Sequence, residues 1–309
     1  MRKWRLSAGT ASVLGVRRIK TSAKATTAYI MLGEGCKNNC AFCAQARSST
    51  TQSKFLSRVS WLPVEPDVAV EAIGDSDMKR VCLQVVSNQD GYQLTSEAVS
   101  LLQSKNVPVA VSTHIQTVEQ AAKLFELGAD RLGLALDVVD PVLYTKFKGG
   151  SFEDKWQFIC KCAELYPNRI TTHLIVGLGE TEERMINVIA KCVEKHITVA
   201  LFAFTPLVGT LMADCKQPDI DVYRRIQIAH MLLQKGLSIK DFSFVDERLQ
   251  SVNVSSWQEL IKDGRAFRTS GCSGCNRPYY NERPGQVMYN FPYQPTAEEI
   301  STAIVESGL

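Results

Sequence analysis

The chain is poor in acid at its start, poor in histidine, and lacks a long apolar run. The first carboxylate is Glu34, which follows Arg2, Lys3, Arg5, Arg17, Arg18, Lys20 and Lys24. No stretch approaches the roughly 18 apolar residues of a membrane span, which excludes a transmembrane helix. Val13-Leu14-Gly15-Val16 is too short and interrupted for a secretory apolar core, although the acid-free, Arg- and Ser-bearing start has the composition of a transit peptide. We therefore expect a soluble, cytoplasmic protein. A formal net charge of +3 is too small to argue for nucleic acid. Residues 1–26 read as a basic arm, either solvated or drawn to an acidic protein surface by salt-sensitive attraction.

With 309 residues, 45% of them hydrophobic, the chain suits one large domain of α/β-barrel size. Short apolar strands are expected at 27–33, 79–86, 108–114, 130–137, 169–177, 197–206, 241–247 and 266–271, with continuous apolar runs that fit a sheet covered on both faces. Between them, apolar residues at three- and four-residue spacing predict helices such as Thr117 to Leu127, Glu180 to Glu194 and Tyr223 to Gln234. Eight strands imply a closed (β/α)8 TIM-type barrel over 27–271. A C-terminal segment, 272–309, ends in a helix over Thr296 to Glu306, with Thr296 and Glu299 forming a capping box.

Directly after Tyr29-Ile30-Met31-Leu32 come Cys36, Cys40 and Cys43 in GEGCKNNCAFC. Thiolates suit iron-sulfur cubanes, and three of them on a 4Fe-4S cluster leave the fourth iron open to chelate a ligand. Structural zinc needs a fourth ligand, but the nearest histidine in sequence is His114. Disulfides need an oxidising compartment and usually a short secreted chain. The triplet, with Phe42 just before its last cysteine, resembles the signature of radical SAM enzymes. That resemblance implies that the open iron holds the amino and carboxylate groups of S-adenosylmethionine. One electron, delivered by a donor such as ferredoxin or flavodoxin, then yields methionine and a 5'-deoxyadenosyl radical that removes hydrogen from an unactivated carbon.

A second pair, Cys272 and Cys275, stands in TSGCSGCNRPYYNERPG after the eighth expected strand. That position predicts a second metal site on the same barrel face as the first. Its third ligand is expected to be Cys82, within the second strand, with Cys215 as the alternative. Cys160, Cys162 and Cys192 fall in helical stretches and read as small buried filler. The pair also has other readings, a turn CxxC or a zinc or redox dithiol. As an auxiliary 4Fe-4S cluster its purpose would be sulfide supply: a substrate carbon radical attacks a bridging sulfide, and the cluster is consumed as sulfur donor.

Strands two and four look like those of biotin synthase and its relatives. The resemblance implies Cys82 as an auxiliary ligand, Asp137 as the carboxylate for the SAM ribose, and Lys155 as a basic partner of the SAM carboxylate. Gly177 and Gly179, in the GLGE run, are similar to the family's turn after strand five. They allow close backbone approach to a ligand, though a strand-to-helix turn alone also selects glycine. FTPLVGT resembles the family's loop after strand six.

Two departures narrow the choice. Biotin synthase takes further auxiliary ligands from strands three and five, which here read VAVSTH and RITTHLIVG, and the single-chain lipoyl synthases carry an N-terminal cysteine triplet that this chain lacks. What remains resembles one component of the two-component lipoyl synthases. It implies sulfur insertion at C6 or C8 of an octanoyl chain on a lipoyl-carrier protein, with a second radical SAM component as partner. Biotin-type sulfur insertion and a mutase or isomerase of methylornithine synthase type are the alternatives. Carrier recognition is assigned to the basic arm and to Arg265, Arg268, Arg277 and Arg283, which equally suit ion pairs holding the C-terminal segment. Tyr279 and Tyr280 are candidates for closing the pocket. His173, inside strand five, reads as structural.

Overall fold

The computed structural model describes residues 3–19, 21, 23–52, 54–282 and 285–309. Arg2, Lys20 and Arg283 lie outside the described residues. Six parallel strands form the body of the sheet: β2 (Thr27–Leu32), β5 (Arg80–Val85), β6 (Val109–Ser112), β7 (Arg131–Gly133), β8 (Ile170–Val176) and β9 (Thr198–Ala203). Three antiparallel strands extend it past β2: β1 (Trp4–Ser7), β4 (Val59–Val64) and β3 (Phe55–Leu56), giving the order β3-β4-β1-β2-β5-β6-β7-β8-β9. A helix follows each of β5 to β9 directly, β2 is followed by β3 and β4 before helix Pro66–Gly74, and the helices pack on the outer face. This is an α/β fold whose parallel strands curl into a partial barrel.

The first six expected strands are thus present, but closure by eight is not how this barrel is built. Segment 241–247 enters a separate hairpin, β10 (Phe242–Val245) with β11 (Arg248–Val252), and 265–267 is a 3-10 turn. A short apolar run carries no sign of which strand it pairs with, so neither segment joins the sheet as its pattern suggests. The gap after β9 is instead spanned by irregular chain. Leu201 N donates to Ser270 Oγ at 2.8 Å, and Asn281 Nδ2 donates to Ala203 O at 2.8 Å. Through these contacts the C-terminal segment packs along the open edge of β9.

The amino-terminal segment is likewise not a free arm over its described start. β1 inserts between β2 and β4, in register Arg5 to Met31 and Arg5 to Pro63. Arg5 is buried, and its guanidinium donates to Gly33 O beside the first cysteine loop. A basic residue in an alternating strand reads as solvated, but the pleat turned this one inward.

Helix ends follow local rules. Thr117 and Gln120 form a capping box ahead of Val118–Glu126, Thr181 caps Glu182–Glu194, and Thr296 with Glu299 opens Ala297–Ser307. In β2 the alternation divides the side chains: Ala28, Ile30 and Leu32 join the main core under the helices. Tyr29 and Met31 join a separate inner cluster with Trp61 and Val86, against which Cys36, Cys82 and Cys275 pack.

Candidate functional site: a cavity with cysteines at both ends

The inner face of the sheet encloses a cavity of about 260 Å³, mostly apolar, with Met31, Ala110, Ile175 and Phe202 among its walls. Cys36, Cys40, Cys43, Cys82, Cys272 and Cys275 all line it, and all are free thiols.

The triplet sits on the loop leaving the C-terminal end of β2. Backbone contacts hold that loop: Lys37 N donates to Ser87 O (2.6 Å), Ala41 N to Phe147 O (2.7 Å) and Cys43 N to Cys40 O (3.0 Å). Phe42 is half-buried and lines the cavity beside the thiols. Burial pushes the Cys40 thiol up to about 11 and the Cys43 thiol to about 12. Thiols so buried remain protonated until a cationic centre draws them into the thiolate form. Among the described residues no three His, Cys, Asp or Glu side chains gather closely enough for a single metal ion. A cubane, in which each thiolate takes its own iron, does not require that. The donor set fits an iron-sulfur cluster.

The second cysteine group is at the other end. From Ser270 the chain runs down alongside β9 and reaches the N-terminal ends of β2 and β5. There Gly274 O accepts from Thr26 Oγ1 (2.7 Å), Ser273 O accepts from Arg80 Nε (2.8 Å), and Asn276 Oδ1 accepts from Thr26 N (3.0 Å). Gly274 has φ +79°, and a Cβ there would lie 3.0 Å from Lys79 Cβ, so the close turn requires glycine. The expected placement on the same face as the triplet is therefore corrected. It assumed a parallel eighth strand, whereas this segment descends. Cys82 points inward from β5, and its thiol is pushed to about 12 by burial, with the Cys272 and Cys275 thiols adding to the effect. Cys215 is exposed, and Cys162 and Cys192 are buried in helices away from the cavity.

Asp137 follows β7 in the left-handed region at φ +64°. It lines the cavity, and one carboxylate oxygen is held by Lys148 Nζ at 2.7 Å. Lys148 Nζ also donates to Ala135 O (2.9 Å) and Leu136 O (3.1 Å). Burial alone would raise the Asp137 carboxyl, but the ammonium outweighs it and holds the group below its ordinary value. Lys148 was missed in sequence. Its only signal was a position ahead of Gly149-Gly150 in the loop after Pro141–Phe147, and lysines in such loops are usually solvated.

Lys155 does not line the cavity. It is half-buried on helix Phe152–Leu165, and burial, followed by the nearby Lys148 charge, lowers it to about 8. Gly177 and Gly179 do not line the cavity either. Both have positive φ, and the open side of Gly177 is filled by Pro218, 2.8 Å from where a Cβ would sit. Glu180 closes that turn, accepting from Gly177 N (2.7 Å) and Leu178 N (2.9 Å). Of the two readings of this GLGE run, the geometry describes the turn.

Arg277 is not on a carrier-facing surface. It lies inside, its guanidinium 4.0 Å from the Phe202 ring centroid and donating to Ser270 O at 2.8 Å. Tyr280 lines the cavity against Phe202, whereas Tyr279 does not line it. His173 also faces the cavity, and burial lowers it to about 4, so it is neutral near pH 7.

Fold and site together define an α/β partial-barrel protein with a thiol-lined central cavity. The chain belongs to the radical SAM superfamily, whose family model matches residues 30–192, more than half of its length. Membership makes it a radical SAM enzyme and implies a 4Fe-4S cluster and S-adenosylmethionine. It is 24% identical over 253 residues to a biotin synthase from Ehrlichia canis, covering 78% of this chain and 76% of that one. It is 23% identical over 187 residues to a lipoyl synthase from Geobacillus thermodenitrificans, covering 58% and 60%. The chain thus spans about three fifths of that lipoyl synthase. In fold it is similar to the FeFe-hydrogenase maturase HydG from Carboxydothermus hydrogenoformans (TM-score 0.53, 16% identity, 69% of this chain and 52% of that one). It is also similar to methylornithine synthase, PylB (TM-score 0.51, 15% identity, 80% and 79%). No helix among the described residues is long and apolar enough to cross a membrane.

Proposed function

We propose that this protein is a radical SAM sulfurtransferase that inserts sulfur at an unactivated carbon, C6 or C8, of an octanoyl chain on a lipoyl-carrier protein. In this reading it is one half of a two-component lipoyl synthase, working with a second radical SAM component and a ferredoxin- or flavodoxin-type reductant. Cys36, Cys40 and Cys43 hold the SAM-binding cluster, and Phe42 and Asp137 contribute to the SAM pocket. Cys82, Cys272 and Cys275 hold an auxiliary 4Fe-4S cluster that supplies sulfide. Free thiols and clusters belong in a reducing compartment, which is the cytoplasm in this proposal.

The observation that carries the reading is that both thiol groups open into one apolar cavity from opposite ends. An extended acyl chain between them would have its hydrogen-abstracting side and its sulfur source on two sides. Enclosure by Phe202 and Tyr280 keeps water from a radical. Insertion of the biotin type is the second reading, favoured by the likeness over 78% of the chain to a biotin synthase. Against a biotin-type ligand set, the position paired with Cys82 in β6 is Ala110, which offers no donor.

Iron and acid-labile sulfide analysis with Mössbauer spectra, on anaerobically reconstituted protein, tests the cluster count. Two 4Fe-4S clusters in the wild type and one in a variant with Cys36, Cys40 and Cys43 replaced by alanine are expected. One and none would replace this reading with a mutase. Incubation with SAM, reductant and either an octanoylated carrier domain or dethiobiotin then separates the two sulfur-inserting readings by which substrate gains sulfur.

A further inference from the structure

The three thiols of the second group are dressed differently from those of the first. Gln84 Nε2 donates to Cys82 Sγ at 3.0 Å. The Tyr29 hydroxyl lies 3.0 Å from Cys275 Sγ, and its oxygen already accepts from Arg277 N at 3.0 Å, so the phenol proton is directed at the sulfur. Next to Cys272, Arg80 donates through Nε to Ser273 O and through Nη2 to Asp130 Oδ2 at 3.0 Å. Among the described residues Arg80 Nη1 has no hydrogen-bond partner; it is buried, and the residue is only 5% exposed. A guanidinium N–H without an acceptor is costly in a protein interior. At the first triplet, Cys43 takes a hydrogen bond from the Gln45 backbone amide, and the Lys148 ammonium held by Asp137 acts on Cys40 through its charge.

We propose that Tyr29, Gln84 and Arg80 are positioning residues, each giving one hydrogen bond to the thiolate or sulfide edge of the second cluster and setting its reduction potential above that of the first. The inference rests on the second cluster proposed above. Hydrogen bonds and positive charge at cluster sulfur stabilise the more negative, reduced core and raise its potential. The reaction calls for that bias. When a carbon radical attacks a bridging sulfide, the new C–S bond takes the radical electron and one sulfide electron. The other electron of that sulfide pair passes to iron, reducing one Fe(III) to Fe(II). A second core that accepts an electron readily favours bond formation, whereas the first core must be a strong donor to cleave SAM.

EPR-monitored redox titration of reconstituted protein, with dithionite as reductant, tests this on Tyr29→Phe, Gln84→Leu and Arg80→Lys. Iron content is measured in the same samples. Tyr29→Phe keeps the ring packing and removes only the hydroxyl, and Arg80→Lys retains a cation while losing the fork. The expected result is a second-cluster potential shifted more negative in each variant, with the first-cluster potential unmoved. Full iron content with no shift in any variant overturns the positioning role while leaving the second cluster standing. Wild-type iron sufficient for one cluster only overturns both.

Discussion

The two cysteine groups meet in one cavity but are built in opposite ways. Cys36, Cys40 and Cys43 lie within one loop, so their spacing and the end of β2 bring them together. Cys82 comes from β5, and Cys272 and Cys275 come from a descending loop that reaches it only because Arg80, Thr26 and Thr27 anchor residues 273–276 at the base of the barrel. The first is a local motif and the second a tertiary assembly. They therefore respond differently to substitution.

The largest separation is expected from the cysteines themselves. Cys36→Ala should lower SAM cleavage by about 10³-fold or more, equivalent to roughly 4 kcal/mol of barrier, measured as 5'-deoxyadenosine formed. The same variant retains the second cluster in the Mössbauer spectrum. Cys272→Ala or Cys275→Ala should do the reverse, keeping SAM cleavage within about fivefold, roughly 1 kcal/mol, and abolishing product with a new C–S bond. Loss of cleavage in these variants would mean that the two ends are not independent.

Next in size is Lys148→Met, which leaves the Asp137 carboxylate buried without its cation and is expected to cost roughly 3 kcal/mol, read by urea unfolding. Because the ammonium holds the Asp137 carboxyl low, the pair's contribution is complete above the unfolded-chain value of about 4. It fades as pH falls through the lower folded value. The difference between wild type and variant should therefore shrink in acid, hold across the neutral range, and shrink again in strong base. There Lys148, which burial would lower but Asp137 holds above its ordinary value, loses its proton. A difference that shrinks between about pH 6 and pH 9 would assign it to another group.

The smallest effect is expected at Lys155. If its ammonium meets the SAM carboxylate only at the cavity margin, Lys155→Met weakens SAM binding by no more than about fivefold, within the roughly 1 kcal/mol of a partly solvated ion pair. Calorimetric titration of SAM into reconstituted protein measures it. Burial lowers Lys155 to about 8, so its charged form destabilises the fold increasingly as pH drops from about 10 towards 8. The Met variant should accordingly be the more stable of the two at pH 7 and match the wild type above pH 11.

Much of the frame could be read from the chain. The six parallel strands begin and end within a few residues of their expected bounds, since each is a short apolar run between helices with their own caps. That Cys36, Cys40 and Cys43 come together was legible because eight residues of one loop hold all three. Lys148 was not, since its value depends on Asp137 being brought 2.7 Å away by the turn after β7. Arg277 was placed on the surface because arginine near a basic loop usually is, whereas Phe202 and Ser270 hold it inside.

The sequence by itself determined the barrel class, the capped helices and the gathering of Cys36, Cys40 and Cys43 in one loop, all of which rest on contacts between near neighbours in the chain. Only the tertiary structure decided that β1 completes the edge of the sheet and that irregular chain rather than two more strands spans the gap after β9. It also decided that the second thiols face the first across the cavity. Those features depend on which distant backbone groups find each other, and no local spacing encodes that choice.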